Sequence, residues 1–273
     1  MHPHFGPRKI DPAPRELRML LEGKTGVLLG VANKRSIAFA CAKAASAQGA
    51  KLILTCQNER LEEATHKLAE ALPGEAQVVI CDVSKDESLD AATEVIAGLA
   101  PQLDFCVHSV AFANREELEG RFSQTSRSGW HTALDVSAYS LTAVAKRFAP
   151  LMTEGGSLVT MSYLGAVRVM PNYNVMGPAK AALEASVRYL ANDYGPQGVR
   201  VNAVSSGPIR TLAASGISGF SQILDIAKER SPLRRNTTPE EVGDATLFLL
   251  SDLSRGVTGT TLWVDSGYHT MGL

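Results

Sequence analysis

The 273-residue chain has no apolar run near the roughly 20 residues that a bilayer-crossing helix needs, so a membrane span is not expected to organise it. Cysteine is scarce. Cys41, Cys56, Cys81 and Cys106 show no C-x-x-C spacing and each sits within an apolar run. Disulfide and metal roles are therefore not expected, and reduced core thiols in a reducing, cytoplasmic compartment are. Excess charge of one sign is also missing: 27 Lys and Arg stand against 28 Asp and Glu, which leaves no net field to favour nucleic acid or a membrane surface as partner. The first 18 residues carry Pro3, Pro7, Pro12 and Pro14 and lack the apolar stretch of a signal peptide. Residues 1–19 are expected to form a loose arm, and Met19 is a candidate alternative start because it directly precedes the first patterned segment. Internal repeats and low-complexity linkers are absent.

What is present is a chain 45% hydrophobic and 20% charged, enough for a large core within one α/β domain over residues 20–273. From Thr25 onward, short apolar runs alternate with amphipathic ones, the rhythm of a doubly wound, Rossmann-like parallel sheet covered by helices on both faces. Seven strands are expected at Thr25–Gly30, Lys51–Cys56, Val78–Asp82, Asp104–Ser109, Ser157–Ser162, Arg200–Ser205 and Thr261–Asp265, all with the near-continuous hydrophobicity of strands buried on both sides. A first helix runs through Ile37, Ala40, Cys41, Ala44, Ala45 and Gln48 to a C-cap at Gly49. Others are expected near Glu59–Ala71, Asp86–Leu99, Ser126–Ala149, Pro178–Tyr194 and Pro239–Leu250, the last opening on the capping-box spacing Thr238-Pro239-Glu240-Glu241. Residues 207 to about 231 break the rhythm with Gly207-Pro208, Gly216 and Gly219 around the apolar Phe220, Ile223 and Leu224. This segment reads as a lid over a ligand or, alternatively, as a surface loop.

A dinucleotide-binding glycine triplet, G-x-G-x-x-G, is missing after the first strand, since Asn33, Ser36 and Ala40 follow Gly30 instead. The segment Gly30 to Ala38 nevertheless joins a strand to a helix, where a tight turn at Gly30 and the N–H groups around Ser36 and Ile37 can receive a pyrophosphate. At the end of the second strand, Gln57 can hydrogen-bond ribose hydroxyls without repelling a phosphate. This favours NADH, with Arg60 keeping NADPH possible. Asp82, followed by Val83, either accepts a hydrogen bond from the adenine amino group or caps the next helix. Further along, Tyr173 and Lys180 are seven residues apart, about two helical turns, so both can face one side. An ammonium near a phenol makes the phenol a better hydrogen-bond donor. A core tyrosine followed by a solvated lysine has the same spacing.

The segment from Ser162-Tyr163-Leu164-Gly165 through Tyr173-Asn174-Val175-Met176-Gly177-Pro178-Ala179-Lys180 closely resembles enoyl-acyl-carrier-protein reductases of the FabI type, within the short-chain dehydrogenase/reductase superfamily. So do Gly30-Val31-Ala32 with Ser36-Ile37-Ala38, and the stretch from Asn202 through Thr211 to Ile217. The resemblance covers about Leu20 to Gly267. Most of that superfamily carries Tyr-x-x-x-Lys, whereas position 177 here is Gly.

The resemblance implies hydride transfer from NADH to the β-carbon of a trans-2-enoyl thioester of acyl carrier protein or coenzyme A. Tyr173 would hold the enolate oxygen, Lys180 the nicotinamide ribose, and Tyr163 would orient substrate or assist protonation. Ile209 and Thr211 would contact the carboxamide, and Ser109 and Ala111 would border the cofactor. Ala113, Met176, Ile217, Phe220 and Ile223 would line an apolar acyl pocket, for which apolar side chains are suited on general grounds. A homotetramer is implied, and no metal. Where the family pattern more often has Gly the chain has Ala111, whose methyl is expected to weaken triclosan-like inhibitors. Basic residues common around Phe220 are replaced by Ser218, Gly219, Ser221 and Gln222. Docking of the acidic carrier protein would then shift to Lys228, Arg230, Arg234 and Arg235, unless those four are a solvated rim. Two other readings are a carbonyl reductase of the same fold and a non-catalytic cofactor sensor. The Gly at 177 and the apolar lid oppose the first, and the presence of both Tyr173 and Lys180 opposes the second.

Overall fold

Aliphatic runs without polar alternation can satisfy both faces only inside a layered structure, and seven of them do so here. The computed structural model describes residues 19–211, 214 and 218–272. The expected N-terminal arm, up to residue 18, lies outside the described residues. The strands are β1 (Thr25–Leu29), β2 (Lys51–Cys56), β3 (Ala76–Ile80), β4 (Phe105–His108), β5 (Gly156–Tyr163), β6 (Val199–Ser206) and β7 (Thr261–Val264). All pair in parallel in the order β3-β2-β1-β4-β5-β6-β7. The winding direction reverses between β1 and β4, which opens a crevice beyond their carboxyl ends.

Among the described residues there are eight α-helices: α1 (Ile37–Ala47), α2 (Glu59–Ala69), α3 (Asp86–Leu99), α4 (Arg127–Leu134), α5 (Ser140–Phe148), α6 (Met176–Tyr194), α7 (Phe220–Arg230) and α8 (Pro239–Leu250). Alternation along each strand splits the core in two. Val27, Leu29, Leu158 and Val201 face Ile96 of α3, Phe148 of α5 and Leu183 and Val187 of α6. Leu28, Leu54, Val107 and Val204 face Phe39 and Cys41 of α1 and Val242 and Leu249 of α8. All four cysteines are buried, Cys41, Cys81 and Cys106 within these layers, and burial pushes the thiols of Cys41 and Cys81 up to about 12, as suits inert core residues. Local signals hold at several ends. Gly49, at φ 87°, follows the Gln48 cap of α1. At α8 the Thr238 and Glu241 side chains each accept from the other's backbone N–H, at 3.2 and 2.9 Å.

Three expectations are corrected. β3 lies two residues earlier than expected, because Ala76 and Gln77 pair with Leu52 and Ile53 while Asp82 turns back to bond Ser84. Helix α6 begins at Met176, not Pro178; a proline is tolerated there because first-turn N–H groups have no intrahelical acceptor. The continuous helix expected over 126–149 is interrupted by a π-helical turn at Asp135–Tyr139. Two serines account for the interruption. Ser137 Oγ accepts from the Phe112 N–H at 2.9 Å and donates to the Phe112 carbonyl at 3.0 Å, and Ser140 Oγ donates to the Val136 carbonyl at 2.7 Å.

The imidazole of His108, fully buried at the end of β4, ties this turn to the sheet through Thr160 Oγ1 and Ser140 Oγ, each at 2.9 Å. Burial, aided by the charge of Lys180, pushes the ring down to about 3 from its ordinary 6.5. The unfolded chain therefore takes up this proton first, and stability from the site is lost as pH falls from about 6.5 toward 3. In urea unfolding across that range, His108→Gln should flatten the acid slope. At pH 7, His108→Leu should cost about 2–4 kcal/mol by leaving hydroxyls facing an apolar group. An unchanged acid slope in the Gln variant contradicts this account.

Candidate active site

The carboxyl ends of β1, β4, β5 and β6 open into a cavity of about 580 Å³, a volume typical of small-molecule sites. Gly30 leaves β1 at φ 91°, and a Cβ there would stand 2.1 Å from the Ser109 carbonyl oxygen, so both its conformation and the approach of β4 require glycine. Ser36 caps α1 by accepting from the Phe39 N–H at 3.2 Å, while Asn33 Oδ1 accepts from the Arg35 N–H at 2.8 Å. No acidic residue occupies the first turn of α1. Its N-terminus therefore meets the cavity with free donors and no opposing carboxylate, which fits the pyrophosphate of a dinucleotide. Gly30, Ser36, Ile37, Ser109, Ala111, Ile209 and Thr211, to which the sequence assigned cofactor contacts, all line this cavity.

Gln57, Asp82 and Val83 do not line that wall; they stand at the neighbouring ends of β2 and β3. Gln57 Nε2 donates to Asp82 Oδ2 at 3.5 Å, which joins the two residues expected at the adenosine end. Burial acts to raise the Asp82 carboxyl, but hydrogen bonds from Ser84 and Gln57 outweigh it and hold the group below the ordinary range. Asp82 does not cap α3, whose N-cap position is Lys85, so the helix-capping alternative is not what the fold uses.

Tyr163 ends β5 and Tyr173 lies in the turn before α6, so the Tyr173–Lys180 spacing is a turn followed by a helix and not two helical turns. Asn172 and Asn174, both at positive φ, bracket Tyr173. Their amides donate to the Ser218 carbonyl at 2.8 Å and to the Glu119 carbonyl at 3.3 Å, fastening the turn on both sides. A Cβ at Gly165 would lie 2.4 Å from the Tyr173 ring, and its absence lets the two tyrosines meet edge to face at 4.9 Å and 64°. Burial raises both phenols and keeps them protonated, hence donors. Lys180, 5% exposed, donates from Nζ to the Met161 carbonyl at 2.7 Å. Burial pushes its amine down to about 8, opposed by the charge of Glu184 one turn further along α6.

Ala113, Met176 and Phe220 also line the cavity, with Met176 Sδ 3.7 Å from Ser137 Oγ. Ile223 sits on α7 off the wall, and Ile217 lies outside the described residues. Arg115, Leu118, Met161 and Ser162 line the cavity without having been expected there, although Met161 and Ser162 flank the Tyr163 motif at a strand end. The four basic residues near α7 are not a uniform rim. Arg235 makes a bidentate pair with Glu241, and Arg234 bonds the Glu229 carbonyl, leaving Lys228 and Arg230 turned to solvent. Among the described residues no cluster of metal ligands occurs and no helix is long and apolar enough to cross a membrane.

A parallel sheet of this order, with an anion-ready helix N-terminus and a tyrosine–lysine pair at its carboxyl edge, defines an oxidoreductase of the short-chain dehydrogenase/reductase class. The sequence pattern of the Enoyl-(Acyl carrier protein) reductase family matches residues 30–269. The Enoyl-[acyl-carrier-protein] reductase [NADH] FabI of Bacillus cereus is 55% identical over 254 residues, 93% of this chain and 99% of that relative. A crystal structure of the Bacillus cereus reductase with NADP+ and indole naphthyridinone superposes with a TM-score of 0.91 at 55% identity, covering 93% of this chain and 99% of that one. The reductase from Anaplasma phagocytophilum in complex with NAD gives 0.90 at 54%, covering 93% and 97%. The chain belongs to the enoyl-acyl-carrier-protein reductase family.

Because the Gly30 contact is with backbone, Gly30→Ala should lower unfolding free energy by about 2–4 kcal/mol and weaken NADH binding; a variant with unchanged denaturant midpoint would contradict the close approach of β1 and β4.

Proposed function

We propose that the chain catalyses NADH-dependent reduction of the carbon–carbon double bond of trans-2-enoyl thioesters carried on acyl carrier protein, the last step of the fatty-acid elongation cycle. The observation that carries the reading is the meeting of Tyr163, Tyr173 and buried Lys180 at one cavity beside an anion-ready helix N-terminus. Bound there, reduced nicotinamide supplies a hydride to the β-carbon of the substrate. Gly30, Ser36 and Ile37 receive the pyrophosphate, Gln57, Asp82 and Val83 serve the adenosine end, and Ser109, Ala111, Ile209 and Thr211 border the nicotinamide. Lys180 bonds the nicotinamide ribose. Gln57 offers ribose hydroxyls a partner and carries no charge to repel a phosphate, so NADH is the main coenzyme and NADPH remains compatible.

The Tyr173 hydroxyl, held protonated by burial, donates to the thioester oxygen as negative charge develops on it. A donor aimed at such an oxygen is typically worth roughly 10²–10³ in rate. Tyr163, in edge contact with Tyr173, orients the substrate or assists protonation. Ala113, Met176 and Phe220 present apolar surface to the acyl chain, and the segment of about 207–231, of which 212, 213 and 215–217 lie outside the described residues, serves as a lid on a single domain from residue 20 onward. The family resemblance implies a homotetramer in which the flanks of α5 and α6 pack between copies, and Tyr139 and Tyr189 stand exposed on those flanks. Carrier protein docks through Lys228 and Arg230, and the free buried thiols fit a cytoplasmic enzyme.

Nicotinamide absorbance followed with a trans-2-enoyl thioester, and separately with a 3-oxoacyl thioester, tests the reaction. Rapid NADH oxidation with the enoyl compound alone is expected, and Tyr173→Phe should lower kcat by about 10²–10³ while NADH affinity is kept. Preferential turnover of the oxo compound would replace this reading with a carbonyl reductase.

A further inference from the structure

We propose that Glu184 is a positioning residue of this site, which together with Ser162 keeps Lys180 seated and charged beneath the cavity. The proposal rests on Lys180 being the coenzyme anchor. Two consecutive residues of β5 fasten two residues one turn apart on α6: the Met161 carbonyl accepts from Lys180 Nζ at 2.7 Å, and Ser162 Oγ donates to Glu184 Oε1 at 2.5 Å. The helix is thereby pinned to the strand at the point where both reach the cavity wall. Glu184 is only 8% exposed, and a carboxylate is costly to bury unless something nearby uses its charge. The register Ser162↔Ser205 sets a second hydroxyl on the same face, and Ser205 Oγ is buried with no partner. The patch under the cavity is therefore polar beyond the needs of the fold.

Lys180 has few groups that could hold its proton. His108 on β4, which feels the charge of Lys180, is itself uncharged because burial pushes it down to about 3, and Tyr163 and Tyr173, which line the same cavity, are kept neutral by burial. Glu184 lies one turn further along the same helix, and its charge, acting without a direct ion pair, counters the burial of the amine. Glu184 in turn faces Ser162, Arg188 and Lys180 itself; burial raises its carboxyl, and these three oppose the rise. Removing the negative charge should let burial act on Lys180 unopposed. The amine would then lose its proton at a lower pH, and with it the charge-assisted bond offered to the coenzyme.

The test is the titration of Lys180 in the coenzyme-free protein by lysine ¹⁵N NMR, alongside NADH dissociation constants by fluorescence at pH 6 and pH 8. Glu184→Gln keeps an acceptor for Ser162 and removes the charge. It should move the Lys180 midpoint from about 8 down by about one pH unit, weakening NADH binding about fivefold at pH 8 and leaving it unchanged at pH 6. Ser162→Ala, which frees the carboxylate from the strand, should shift the midpoint in the same direction by less, and it carries the test alone if the Gln variant does not fold. An unmoved midpoint in the folded variants, or equal weakening at both pH values, would overturn the proposal. The midpoint needs neither substrate nor turnover, so failure of the reductase reading would show separately, as a parent protein inactive on the enoyl thioester.

Discussion

A charged amine held in the interior of the protein sets the terms for the rest of the site. Lys180 is almost fully buried, and its burial pulls it well below the range of an ordinary lysine. Such a group persists only where the surroundings are built to hold it. Here a strand carbonyl accepts from it, an imidazole beside it stays neutral, two phenols stay protonated and a carboxylate follows one helical turn later. These groups come from four segments: β4, β5, the turn before α6 and α6 itself. Their convergence is a property of the sheet order, which brings β4 and β5 side by side at the crevice.

The same order explains why the two halves of the cavity differ in chemistry. On the β1 side the chain offers backbone: a glycine with no room for a side chain, a serine-capped helix start and no carboxylate. That is the chemistry of phosphate recognition. On the β5 side it offers side chains that donate hydrogen bonds in a dry environment, which is the chemistry of a developing oxyanion. Ser137 and the π-helical turn link the two, because the hydroxyl that holds the Phe112 backbone at the cavity edge also lies against Met176 at the start of α6. His108 anchors that turn from below. A hydride donor and an acceptor bound across such a floor would be held by elements that cannot shift independently.

Much of this could be read from residue order. Apolar runs marked the strands because a parallel sheet buries both faces of its central strands, although the half-exposed edge strand β3 was placed two residues late, and Gly30, Ser36, Tyr163, Tyr173 and Lys180 fall at strand ends, in the turn before α6 and in helix first turns that the fold places on one cavity. What escaped were features that depend on partners distant in sequence. A one-residue slip in helical phase at Asp135–Tyr139 leaves the amphipathic pattern almost intact, and only the contacts of Ser137 with Phe112 and of Ser140 with His108 reveal it. Glu184 sits where a helix carboxylate is commonly solvated, and its bond to Ser162, 22 residues away, is invisible in local periodicity. Gln57 and Asp82 were paired with the adenosine end by strand position, and their mutual hydrogen bond came only with the β2–β3 register. The basic group near α7 lost half its members to local pairing that charge counting does not capture.

The buried charge of Lys180 is kept for the coenzyme, and the NADH dissociation constant of Lys180→Met reads out that role. Methionine fills similar volume without the charge, so Lys180→Met is expected to fold and to bind NADH at least about tenfold more weakly, the loss expected for one charge-assisted hydrogen bond. A stable Lys180→Met protein that binds NADH as tightly as its parent would contradict it.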